Sequence, residues 1–133
     1  MLPLTITLSV DKANDSNPVN EVFTRDTNLS PNKSLYYGDL HTVDSDETIT
    51  ITRVPNKTVG NFRGVFRTSQ KYRRTVTVLG VDGSSIKVPA IAENVDSFPV
   101  GMSAALIKEI RQYMVALRDN DTVMDLIHVQ GQV

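Results

Sequence analysis

The chain has 133 residues, of which 40% are hydrophobic and 22% charged, with a net charge of −1 and no cysteine. That length and composition suit a single domain, residues 1–133, able to bury a core, and they argue against wholesale disorder. The missing cysteine excludes a disulfide framework, a thiolate metal site and a thiol nucleophile.

Leu4, Ile6, Leu8 and Val10 alternate with Thr5, Thr7 and Ser9, the two-residue period of a strand over 4–10. No basic segment precedes this run and Asp11-Lys12 cuts it, so it does not read as a signal peptide. No run nears the ~20 apolar residues of a membrane span. The expectation is a soluble chain without a membrane partner, working inside a cell or a particle. Asp15-Ser-Asn-Pro18 is turn chemistry, and Val19–Thr24 can return as the hairpin partner. Asn28–Lys33 reads as a loop and Ser34–Val43 as a third strand, with Leu35 and Tyr37 on one face.

Thr48–Thr52 alternates strictly between Thr and Ile, as a half-buried strand does. Pro55–Gly60 breaks the pattern. Phe62–Thr68 and Tyr72–Val78 are two further predicted strands. Asp82-Gly83, within Gly80–Ser84, supplies the positive φ of a hairpin turn before a return strand, Ser85–Val95. Connections this short join antiparallel strands.

The period then changes. Leu106, Ile107, Ile110, Tyr113, Met114 and Leu117 fall on one face of a helix with Ser103 as its N-cap. Asp119-Asn-Asp121 ends it and can cap a second helix carrying Val123, Met124 and Ile127. Strands followed by helices give an α+β class, an antiparallel meander over 1–100 with two helices in 101–133. Two helices in some thirty residues cover only part of a wide sheet, at roughly 10 Å of width each. The helix stripe therefore predicts burial against a second copy.

Charge is unevenly distributed. Residues 48–92 carry eight bases, Arg53, Lys57, Arg63, Arg67, Lys71, Arg73, Arg74 and Lys87, against the single acid Asp82. The flanks are acidic, with eight acids to three bases before this block and six to three after it. Such a block is a candidate polyanion surface; the alternative is a solvated face balanced by acids elsewhere. Strand parity sharpens the choice. With Phe62, Phe66, Ile49, Ile51, Val76 and Val78 assigned to the core, Arg63, Arg67, Arg73, Thr48, Thr50, Thr52, Thr75 and Thr77 share the other face. Arg53 and Arg74 have the core parity and are assigned to a rim or an edge.

The order of elements resembles the coat proteins of leviviruses, the small single-stranded RNA bacteriophages. The likeness is carried by the basic meander Thr48–Val78 and by the tail Phe98–Val133, where Asp96-Ser-Phe-Pro-Val100 leads into Ser103-Ala-Ala-Leu-Ile-Lys-Glu-Ile110. It is a likeness of order, length and charge over nearly the whole chain. The resemblance implies an intertwined homodimer whose sheets join edge to edge and whose helices cross onto the partner, with Leu106, Ile107, Ile110, Tyr113, Met114 and Leu117 at the interface. It implies an icosahedral shell, a virion location and assembly in the bacterial host cytoplasm. It implies binding of viral RNA, including a hairpin used for packaging and translational repression, on the inner sheet face. The expected RNA-binding residues are Thr50, Thr52, Arg63, Arg67, Lys71, Arg73, Thr75, Thr77 and Lys87, with Thr50 and Thr77 as candidates for the family's threonine-lined adenine pockets.

An enzyme reading finds little support, so no catalytic residue, cofactor, metal or small-molecule substrate is expected. His41 and His128 are far apart, no phosphate-cradling glycine loop or nucleophile elbow occurs, and Asp44-Ser-Asp-Glu47 lacks cation-loop spacing. The alternative function is a β-rich oligonucleotide-binding barrel of the OB type. That class stacks bases on exposed aromatics, whereas Phe62 and Phe66 have the parity opposite the arginines. A tail or fibre protein would not need the basic block.

Overall fold

The computed structural model describes residues 2–27 and 30–131. The chain forms two compact units, one of Met1–Asn56 with Phe66–Ser97 and one of Lys57–Val65 with Phe98–Val133.

The first unit carries the sheet except for Val65, Phe98 and Pro99 at two strand ends. Its strands are β1 (Thr5–Val10), β2 (Val19–Arg25), β3 (Lys33–Tyr37), β4 (Glu47–Val54), β5 (Val65–Leu79) and β6 (Ser85–Pro99). They lie in the order β1-β2-β3-β4-β5-β6, an open meander with β1 and β6 as the outer strands, not a five-stranded barrel. The strands from β1 to β5 pair antiparallel. Pro89 stands inside β6, where an outer strand tolerates a residue with no N–H.

Several expectations need correction. The third strand stops at Tyr37 instead of running to Val43. Gly38 turns the chain there: its N–H donates to the Glu47 carbonyl at 2.9 Å, and its own carbonyl accepts from His41 N at 3.1 Å. A Cβ on Gly38 would collide with the Glu47 carboxylate and the Phe23 ring. The strands expected over 62–68 and 72–78 are one strand, β5, because Ser69-Gln70-Lys71 contains no glycine or proline and β4 pairs alongside from Val54↔Arg67 to Glu47↔Arg74. Phe62, expected in the core, is half exposed and lies before β5 in a tight turn in which Val59 and Phe62 exchange both backbone hydrogen bonds. Of the Asn28–Lys33 loop, Asn28 and Leu29 lie outside the described residues, and Ser30 forms a bridge with Lys33.

Among the described residues the buried hydrophobics are Phe23 and Tyr36, joined by Glu47 and Thr48. Tyr36 donates its hydroxyl to the Pro3 carbonyl at 2.6 Å. Ile49, Ile51 and Val76 are half-buried, and Val78, expected in the core, is exposed.

The second unit carries α1 (Ala104–Arg118) and α2 (Asp121–His128). Ser103 caps α1, its Oγ accepting from Leu106 N at 3.2 Å, and Asn120 caps α2, its Oδ1 accepting from Val123 N at 3.2 Å. Gly64 is required in this unit: φ is +90° and a Cβ would meet the Lys57 carbonyl. Its carbonyl accepts from Val100 N at 2.9 Å, tying residues 57–65 to the approach to α1. No residue of either helix is buried. Leu106, Ile110, Met114 and Leu117 are exposed, Tyr113 is 73% exposed, and Ile107 is half-buried. No helix among the described residues is long and apolar enough to cross a membrane.

Candidate nucleic-acid interface

The registers of β3, β4 and β5 line up three rungs of side chains on one sheet face: Lys33, Thr52 and Ser69; Leu35, Thr50 and Lys71; Tyr37, Thr48 and Arg73. Alternation continues this face along β5 through Thr75 and Thr77, and back to Arg67. Beside the rungs is a hollow of about 360 Å³ lined by Lys33, Leu35, Tyr37, His41, Asp46, Thr48, Thr50, Lys71 and Arg73.

The hollow is predominantly cationic, with one carboxylate in it. Asp46 Oδ2 is 3.6 Å from Arg73 Nη2, and Asp46 Oδ1 is 3.8 Å from His41 Nδ1. The Tyr37 and His41 rings are in contact, centroids 4.4 Å apart and tilted by 42°. Tyr37 donates its hydroxyl to Asp26 Oδ2 at 3.2 Å, and desolvation together with that carboxylate raises the phenol above its ordinary pKa. Hydroxyls, ammonium and guanidinium groups around an aromatic platform are the groups that bind phosphate oxygens and base edges.

Of the expected RNA-binding residues, Thr50, Lys71 and Arg73 meet in the hollow. Thr52 shares the face, with its hydroxyl 2.5 Å from that of Ser69. Thr75 is held by the fold, its Oγ1 accepting from Asp46 N at 2.9 Å, while Thr77 is exposed further along β5. Arg67 Nε donates to Ser97 Oγ at 3.3 Å. Lys87, ten residues before Ser97 in β6, has the same parity and is exposed.

Arg63 is the exception. It precedes β5, belongs to the other unit and lies between Phe62 of the tight turn and Gly64, so strand parity does not apply to it. Lys33, Tyr37, His41 and Asp46 were missing from the expected set. Lys33 and Tyr37 needed the β3–β4 register, and His41 and Asp46 sit on the 38–46 segment that the sequence partly read as strand.

The opposite face has different chemistry. Tyr36, Ile49 and Tyr72 form one rung, with Glu47 and Arg74 as a pair further along. A hollow of about 480 Å³ is lined by Leu8, Val10, Lys12, Glu21, Phe23, Glu47, Ile49, Tyr72 and Arg74, and Lys12 is ion-paired with Glu21. Buried Glu47 accepts from the Tyr72 hydroxyl at 3.1 Å. Burial and the Glu47 charge raise the Tyr72 phenol above its ordinary pKa. Asp46 and Glu47 line opposite hollows, so the acidic run 44–47 does not converge, and no metal-holding cluster occurs among the described residues.

The open six-stranded antiparallel meander followed by two C-terminal helices is a fold this chain shares with chains of virus-like particles of levi-like viruses and bacteriophages. The chain is similar to a subunit in a virus-like particle of Wenzhou levi-like virus 4, with TM-score 0.74 and 20% identity over 98% of this chain and 88% of that one. It is similar to one of bacteriophage AVE019, with TM-score 0.72 and 15% identity over 96% and 94% of the two chains. A subunit of Beihai levi-like virus 32 gives 0.63 and 23% identity over 85% and 88%. No protein-family model and no curated protein sequence matches the chain.

Proposed function

We propose that this chain is the coat protein of a small single-stranded RNA bacteriophage: a structural subunit and not an enzyme, which pairs with a second copy, assembles into a closed shell and holds genomic RNA on the cationic sheet face. The observation that carries this reading is the fold, shared over nearly the whole chain with subunits of virus-like particles. The exposed α1 stripe supports pairing, since an apolar row of Leu106, Ile110, Met114 and Leu117 gains burial only against another surface. The outer strand β6 offers the edge at which two sheets join. The hollow around Thr50, Lys71 and Arg73 supports the RNA assignment. A hairpin bound there would let the free dimer act as a translational repressor and the shell select its genome.

The test is electron microscopy and light scattering of the purified protein. Closed particles of uniform size, dissociating to dimers, are expected; a well-folded monomer at micromolar concentration overturns the reading. Ile110→Asp is expected to abolish assembly, because it places an unpaired charge in the apolar interface.

A further inference from the structure

His41 Nδ1 stands between two partners of opposite demand. The backbone N–H of Glu47 donates to it at 3.4 Å, which requires an unprotonated nitrogen. The Asp46 carboxylate lies 3.8 Å away and can accept only from a protonated one. The same carboxylate is 3.6 Å from Arg73 through its other oxygen. Both carboxylate separations are those of loose ion pairs, so a small rotation of Asp46 favours one cation over the other.

We propose that His41 and Asp46 make the cationic face pH-responsive: with His41 neutral, Asp46 holds Arg73, and with His41 protonated, the imidazolium takes Asp46 and leaves Arg73 to an RNA phosphate. The inference rests on the RNA-face reading and adds its regulation. The charged groups around His41 fit this exchange. Lys33 from β3 and Lys71 and Arg73 from β5 line the hollow, β4 contributes only the neutral Thr48 and Thr50, and Asp46 is its one carboxylate. Asp39 and Asp44 are exposed on the same 38–46 segment, and Asp26 is engaged with the Tyr37 hydroxyl. The Tyr37 ring lies against His41 and holds the imidazole beside Asp46. Protonation therefore adds one positive charge and removes the competitor for Arg73 in one event. By linkage, RNA binding takes up a proton.

The experiment measures binding of a short fluorescein-labelled oligouridylate to the full-length protein by anisotropy, at constant ionic strength, at about pH 5.5 and about pH 7.5, either side of the histidine range. Affinity is expected to rise on acidification by up to about fivefold, the scale of one partly exposed ion pair. His41→Asn keeps an acceptor for the Glu47 N–H but cannot charge, and is expected to abolish the rise; His41→Gln serves as a second variant should the first not fold. Asp46→Asn is expected to bind at about pH 7.5 as tightly as the unaltered protein does at about pH 5.5. A rise that persists in both His41 variants, or an Asp46→Asn protein with unaltered neutral affinity, overturns the proposal. Lys71→Ala combined with Arg73→Ala separates the two readings. If that pair leaves affinity unchanged, the RNA face itself is wrong. If it weakens binding while the pH profile ignores His41, only the switch is wrong.

Discussion

The two faces of the sheet are built from the same strands and differ in what their side chains are committed to. On one, Tyr36, Phe23 and Glu47 are buried and locked to partners within the chain. On the other, Lys71 and Arg73 line a hollow, and Arg73 makes a loose contact with Asp46. One face spends its interactions on holding the subunit together; under the proposed function the other also keeps Lys71 and Arg73 for RNA. Substitutions on the first should lower stability and spare RNA binding, and those on the second should do the reverse.

The largest stability effect is expected from Tyr36→Ala. It empties the most fully buried side chain and strands the Pro3 carbonyl, a loss of about 3–5 kcal/mol in chemical denaturation. Gly38→Ala follows at about 1–3 kcal/mol, because the added methyl must displace the Glu47 carboxylate or the Phe23 ring. Tyr72→Phe removes a hydroxyl donor from buried Glu47 and is expected to cost about 1–3 kcal/mol at neutral pH.

The same variant tests a pH dependence. Burial and Glu47 raise the Tyr72 phenol in the folded state, so above the unfolded value of 10.0 the folded chain holds the proton that the unfolded chain has lost. Stability contributed by this group is full below that pH and declines as pH rises through the folded value. Denaturation midpoints in buffers from about pH 10 upward should show a shallower decline for Tyr72→Phe.

The smallest stability change, within about 0.5 kcal/mol, is expected for Lys71→Ala with Arg73→Ala, exposed or half-buried side chains away from the buried core. The same pair should flatten the slope of log K against log salt for single-stranded RNA by up to about 1.4, near 0.7 for each lost phosphate contact. Loss of stability without change in slope would reverse the roles assigned to the two faces.

Much of the architecture was legible in local pattern. The Thr/Ile alternation of 48–52 placed Thr50 and Thr52 on one face and Ile49 and Ile51 on the other, as the register has it. The change to a helical period marked α1, and Ser103 was recognised as its cap. These features depend on neighbours within a few residues, so the sequence alone determines them. Parity also put Arg67 and Arg73 on one face with Thr75 and Thr77, as the unbroken β5 has them.

Where a strand begins and what stands beside it were decided by tertiary structure. Arg63 matches the alternation and still lies off the sheet, because Gly64 at positive φ places the chain against Lys57 before β5 starts. Glu47 reads as one acid of an acidic loop, and only the packing of Phe23, Gly38 and Tyr72 around it makes it a buried anchor. Tyr37, His41, Asp46 and Arg73 come from β3, the 38–46 segment and β5, and nothing in their spacing announces that they meet. A strand's period says which residues share a face, but a slip of one residue in pairing exchanges the faces. The register that settles it is set by long-range packing, which brings together residues that have no local signal in common.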